Sequence, residues 1–324
     1  MTLDFGQIKE ITHGYVRAEE KNGKFCFYRF TPQQTAYYYN DNADFHDKTF
    51  ATPGVRFDFI TDAAEFSFTY DTHSASSRNW YYFDTYIDGV LTDHNGESEA
   101  VLRNGTITTR LPDGKHRLTI WFPCLSAAII SNVTISDNSE IIPVTYAKKL
   151  LCMGDSITQG YDAFYPSFAY TNALARTFDW DVVNQAIGGE KFVPGLLTED
   201  MDYDPDIVTV AYGTNDWSSF TRDRFLKRCD GFLENVGKLF RNAKIFVMTP
   251  IWRGDMDRVT DVGSFSDASE YIAKKARACN LNVIDCFNFT PHFSAFYSDL
   301  WLHPNDLGYT EYTKNLVEAI KKKI

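Results

Sequence analysis

The sequence predicts two domains of different class, an all-β sandwich over residues 1–145 followed by an α/β domain with a parallel sheet over residues 146–324. Three observations carry that prediction. The chain has 324 residues, about twice the common single-domain length. Its hydrophobic rhythm changes near residue 145, from two-residue alternation to repeated strand, loop and helix. Apolar residues make up 44% and charged residues 23%, ordinary globular proportions that exclude wholesale disorder and a membrane-embedded fold.

In the first half, alternation marks Glu65-Phe66-Ser67-Phe68-Thr69-Tyr70 and Arg117-Leu118-Thr119-Ile120-Trp121-Phe122 as half-buried strands. Asp88-Gly89 and Asp113-Gly114 follow such stretches, where glycine supplies the positive φ of a tight hairpin. No stretch shows a sustained helical stripe, which is why the half reads as a sandwich. Ile141-Ile142-Pro143-Val144 reads as a short linker, because Pro143 fits poorly in a central strand.

From about Lys148 the apolar runs 150–153, 181–185, 207–212, 245–249 and 283–286 are short and nearly continuous, as strands buried on both faces are. Helical patterns over 168–178, 222–240, 266–280 and 307–322 lie among them.

The net charge of -11 repels phosphate backbones and anionic lipid, so neither nucleic acid nor membrane is an expected partner. No apolar run approaches a membrane span. Met1-Thr2-Leu3-Asp4-Phe5-Gly6 lacks a basic segment followed by an apolar one, so a cytoplasmic location is expected. Cys26, Cys124, Cys152, Cys229, Cys279 and Cys286 form no CxxC pair, which argues for free thiols rather than a zinc site or disulfide framework. Aromatic residues reach 16%, suited either to sheet cores or to stacking on ligands such as sugar rings.

Chemistry concentrates where the parallel strands end. Gly154-Asp155-Ser156-Ile157-Thr158-Gln159-Gly160 follows the first strand and places a serine hydroxyl at the carboxyl edge of the sheet, where such folds build sites. A serine there is commonly only a helix cap, so further groups must support a catalytic reading. They follow later strand ends: Asn184-Gln185-Ala186-Ile187-Gly188-Gly189, then Gly213-Thr214-Asn215-Asp216, and finally Asp299-Leu300-Trp301-Leu302-His303-Pro304-Asn305. A hydroxyl nucleophile needs a base, oxyanion donors and usually an acid to orient the base. Ser156, His303, the Gly189 amide, the Asn215 side chain and Asp299 supply that set. Only His292 and His303 are available as a base in this half. His303 is preferred, since Pro304 and Asn305 behind it are helix-start residues that fix its position.

With these blocks in this order, the second half resembles the SGNH, or GDSL-type, hydrolase superfamily. Ser156 in GDSIT matches the nucleophile, Gly189 the second-block glycine, Asn215 in GTND the third-block asparagine and His303 in HPND the base. The resemblance implies a flavodoxin-like three-layer domain and an esterase mechanism without metal or organic cofactor. Ser156, Gly189 and Asn215 would form the oxyanion hole. The family's last block is DxxH, whereas three residues separate Asp299 from His303 here and Leu300 stands three before the histidine. Either Asp299 reaches the imidazole through a loop one residue longer, or a backbone carbonyl orients it and leaves a dyad.

Asp155, Asp216 and Asn184 read as loop braces. Trp217, Trp252 and Trp301 are candidates to line an acyl or sugar pocket, with core packing as the alternative. The loop 253–265 is a candidate cover for the site. A β-sandwich before such a domain resembles the jelly-roll arrangement of carbohydrate esterase family 2. That analogy implies a small-molecule ester substrate, an acetylated mono- or oligosaccharide. The alternatives are a lipid esterase or thioesterase, and a carbohydrate-binding protein without activity.

Overall fold

The computed structural model describes every residue except Ala100, Leu102, Met201 and Asp202. Two antiparallel sheets form the first half. One holds Thr12–His13, Arg56–Thr61, His116–Trp121, Tyr81–Ile87 and Val90–Glu97 in that spatial order. The other holds Arg17–Lys21, Lys24–Tyr28, Ser126–Ile135, Glu65–Ser74 and Asn104–Arg110. Alternation in Glu65–Ser74 buries Phe66, Phe68 and Tyr70 against the facing sheet. There Phe57, Phe66, Phe68, Phe83 and Phe122 pack edge to face with centroids 5.0 to 5.8 Å apart, the offset geometry that ring quadrupoles favour.

Three expectations for this half need correction. Helices occur at Phe5–Glu10, Pro32–Asp41 and Ala43–Lys48. The first two start in capping boxes, Asp4 with Gln7 and Thr31 with Gln34, so reciprocal hydrogen bonds set them off where an apolar stripe does not. Asp88-Gly89 does turn a hairpin, both residues having positive φ. Asp113-Gly114 instead carries the chain from one sheet to the other. Ile141–Pro143 is a strand paired with Arg56–Thr61 rather than a free linker; proline is tolerated there because the pairing ends at it.

The second half is built on five parallel strands, Lys149–Gly154, Asp181–Ala186, Ile207–Ala211, Lys244–Met248 and Asn282–Ile284. Their spatial order is second, first, third, fourth, fifth, the flavodoxin-like order whose switch point lies beside the first strand. Leu150 and Cys152 pack toward Tyr170–Phe178 and Asp306–Lys321, while Leu151 and Met153 pack toward Arg222–Leu239 and Phe265–Ala278. Two apolar layers therefore sandwich the sheet. No helix among the described residues is long and apolar enough to cross a membrane.

The halves share buried surface. Tyr86, Trp121, Cys124 and Leu125 of the first join Tyr161, Tyr170 and Trp180 of the second in one apolar cluster. Arg29, fully buried, donates to the carbonyls of Asn184 and Ala186 at the carboxyl end of the second parallel strand. Burying a charge is tolerable when its donors are this fully used.

Candidate active site

Ser156 opens a single-turn helix directly after the first parallel strand, and Asp155 caps that turn by accepting from the Ile157 amide at 3.1 Å. Ser156 Oγ lies 2.9 Å from His303 Nε2, and His303 Nδ1 lies 2.7 Å from Asp299 Oδ2. The structure thus brings together serine, imidazole and carboxylate from loops 147 residues apart in sequence. Asp299 reaches the imidazole despite the three intervening residues. Its other oxygen accepts from the amides of Trp301, Leu302 and His303 at 3.1, 2.8 and 3.0 Å, and Leu300 takes a left-handed backbone, φ 71°, to close the turn. Partial burial acts to raise the carboxyl, but the imidazole and these amides outweigh it and hold the group well below the usual carboxylate range.

Asn215 is tied to the Gly189 loop through the residue that follows the glycine. Asn215 Nδ2 donates to the Glu190 carbonyl at 3.0 Å, leaving its second amide hydrogen for a ligand. Gly189 has φ 90°, a conformation an L side chain seldom adopts. The loop is braced from outside: Gly188 N–H donates to Gln159 Oε1 at 2.7 Å, and Lys48 Nζ donates to Gly188 O at 3.1 Å.

The braces behave as read. Asn184 donates to Thr158 O at 2.7 Å and accepts from the Ala186 amide at 3.0 Å; Asp216 accepts from the Phe192 amide at 3.0 Å. Burial pushes Asp155 up to about 6 and Asp216 up to about 7, and the nearby Asp155 carboxylate adds to the penalty on Asp216. His292 lies apart from Ser156, His303 and Asp299, stacked on Trp252 and bonded to the Phe287 carbonyl.

The tryptophans divide. Trp217 is 0% exposed, packed on Phe265, with its indole N–H donated to Gly263 O, so it is a core residue and not a pocket wall. Trp252 is half-buried against His292 and Tyr297. Trp301 is 38% exposed on the loop that carries Asp299 and His303. The loop 253–265 is tied at its start: Arg253 donates to Thr214, and the Gly254 amide donates to Trp301 O at 2.7 Å. Its first residues are therefore anchored rather than free.

Sequence reasoning missed the neighbours supplied across the domain boundary. Asp162 Oδ2 lies 3.9 Å from His303 Nδ1, and Arg78 of the first half holds Asp162 through Nε at 2.6 Å and Nη2 at 2.9 Å. Tyr161 stacks on the His303 ring at 5.6 Å. Nothing local flags residues 84 positions apart as partners. Asp162, Asp299 and His303 present ligand-type atoms within 4.8 Å of one another, yet arginine, imidazole and backbone donors already occupy these oxygens, a donor-rich setting unsuited to a cation.

Residues 152–310 match the model of the GDSL-like lipase/acylhydrolase family. The second half carries a domain of that family, and the protein is a carboxylic ester hydrolase of this type. No curated protein matches the chain in sequence. Among solved structures, it is similar over nearly its whole length to the salicylyl-acyltransferase SsfX3 from a tetracycline biosynthetic pathway (18% identity, 96% of this chain and 94% of that one, TM-score 0.82). It is also similar to a family two carbohydrate esterase from Cellvibrio japonicus (16%, 97% and 95%, 0.66) and to an acetyl xylan esterase from Butyrivibrio proteoclasticus (17%, 85% and 91%, 0.62). At these identities the likeness is one of fold: an antiparallel β domain followed by a parallel-sheet domain.

Proposed function

We propose that the protein hydrolyses acetyl esters of small carbohydrates through an acyl-enzyme on Ser156. The observation that carries the reading is the continuous hydrogen-bonded line from Ser156 Oγ through His303 to Asp299. Ser156 Oγ attacks the ester carbonyl while its proton passes to His303 Nε2, and Asp299 holds the imidazole in the tautomer that leaves Nε2 free to accept. The amides of Ser156 and Gly189 and the side chain of Asn215 take the oxyanion. His303 gives the proton to the sugar oxygen as its bond to the acyl carbon breaks, so that the sugar leaves as the free alcohol. Water, deprotonated by the same imidazole, then releases acetate. The substrate class follows the family two carbohydrate esterases and the acetyl xylan esterase that share the two-domain fold.

The test is acetate release from a panel of acetylated sugars, with acetyl and octanoyl p-nitrophenyl esters in parallel. Wild type should favour the acetyl substrates, and Ser156→Ala should lose about a thousandfold or more in kcat. A wild-type rate in Ser156→Ala rejects the nucleophile; a preference for octanoyl ester moves the reading to a lipid esterase. The likeness to an acyltransferase at TM-score 0.82 supports a second reading, in which an alcohol rather than water takes the acyl group. An ester product formed when alcohols are added would select it.

A further inference from the structure

The hydrolase fold leaves unexplained a second carboxylate at the base. Asp162 sits in the turn after the nucleophile helix, in a left-handed conformation with φ 66°, its side chain only 3% exposed and 3.9 Å from His303 Nδ1. Asp299 already uses that nitrogen at 2.7 Å. Two carboxylates facing one N–H compete for it, and a buried carboxylate without a partner is expensive.

The competitor is neutralised from the other domain. Arg78 lies between the strands Glu65–Ser74 and Tyr81–Ile87, and its Nε and Nη2 engage both oxygens of Asp162 side by side, the bidentate geometry that a planar guanidinium matches. Its guanidinium also lies 5.3 Å from the Tyr161 ring, which stacks on His303, and the neighbouring Ser77 amide donates to Tyr161 Oη at 3.4 Å.

We propose that Arg78 is a positioning residue for the esterase reaction: by occupying both oxygens of Asp162 it keeps the His303 Nδ1 proton on Asp299, so the docked β domain sets the basicity of the catalytic imidazole. This rests on the esterase reading above. The charged and titratable groups facing His303 are Asp299 on its own loop, Asp162 and Tyr161 from the turn, and Asp155 beneath the nucleophile. Arg78 lies beyond Asp162, and Arg253 lies over Trp217 and Trp301. Removing Arg78 leaves an unpaired carboxylate beside the imidazole. Whichever of the two then holds the proton, the pair keeps it to higher pH.

The experiment is the pH profile of kcat/KM on p-nitrophenyl acetate with the full chain. Arg78→Met should move the acid limb up by about one pH unit, the size of a single nearby charge, whereas Asp162→Asn, which strands Arg78 as a cation, should move it down. Arg78→Met combined with Asp162→Asn should return it to the native position, and Arg78→Lys, which keeps the charge but not the bidentate pair, should move it up by less than Arg78→Met does. An arginine that only docks the domains predicts lower stability with no limb shift and no rescue by Asp162→Asn; that result overturns the proposal. Should Arg78→Met fail to fold, the downward shift in Asp162→Asn decides alone, and an unmoved limb overturns the proposal. Ser156→Ala separates the two ideas: if its rate is native, both fall, whereas Ser156-dependent activity with unmoved limbs removes only the role of Arg78.

Discussion

Two regions of the site hold their carboxylates in different ways. On the imidazole side, Asp299 receives three backbone amides and the imidazole, and Asp162 receives a bidentate arginine. On the sheet edge beneath Ser156, Asp155 and Asp216 are enclosed but receive single amide contacts, from Ile157 and Phe192, and burial drives them up to about 6 and about 7. Burial and the donors aimed at the carboxyl together set the direction in which each of these groups moves. Where the proposed reaction needs an anion beside the imidazole, the loop supplies donors; where a carboxyl braces a loop, burial raises it with less to offset the rise.

The largest expected effect tests the donor-rich side. Asp299→Asn keeps an acceptor for the loop amides but replaces the oxygen facing His303 Nδ1 with a donor, or turns the amide and strips the loop of its acceptor. Either way the imidazole loses the partner that fixes its tautomer. The expected loss in kcat is on the order of a thousandfold to ten-thousandfold, measured at about pH 8 beside a thermal melt that verifies folding. A loss under about tenfold indicates a dyad in which Asp299 only shapes the loop.

The next effect tests the donor-poor side. The folded-state value of Asp216 lies above its unfolded one, so between about pH 4 and pH 7 the native protein binds more protons than the unfolded chain, and stability falls as pH rises through that window. Asp216→Asn keeps an oxygen for the Phe192 amide and cannot ionise. Its gain over wild type should grow from near zero at about pH 4 to roughly 2–4 kcal/mol at about pH 8, read from denaturant midpoints. A gain that is flat with pH shows that Asp216 is ionised in the folded state as in the unfolded one.

The same contrast explains what the sequence makes legible. Ser156, Asn215, Gly189 and His303 stand at strand ends in recognisable blocks, and the parallel strands are apolar on both faces, so their positions follow within about two residues from periodicity. Trp217 reads as a pocket residue because it follows Asp216 at a strand end, but the helix Thr214–Ser219 turns it inward onto Phe265. Pro32–Asp41 escapes the helical pattern because Tyr37, Tyr38 and Tyr39 are consecutive and only Gln34 and Tyr38 are buried; the Thr31-to-Gln34 capping box is the signal that marks it. Arg78 and Asp162 carry no such local mark, since their pairing exists only once the two halves dock.

The smallest effect concerns the residue that lengthens the acid-to-base spacing. Leu300 is 66% exposed and holds φ at 71°, where a Cβ crowds the backbone at a cost of roughly 1–2 kcal/mol. Glycine adopts this conformation freely but loses more entropy on folding, about 0.5–1 kcal/mol. Leu300→Gly should therefore stabilise the protein by no more than about 1 kcal/mol and leave kcat within about twofold, while Leu300→Ala, which keeps the Cβ, should give no gain. If the glycine variant is instead less stable and loses activity, the leucine side chain rather than the turn is what holds Asp299 against His303. The carboxylate would then depend on packing as well as on its own loop's amides.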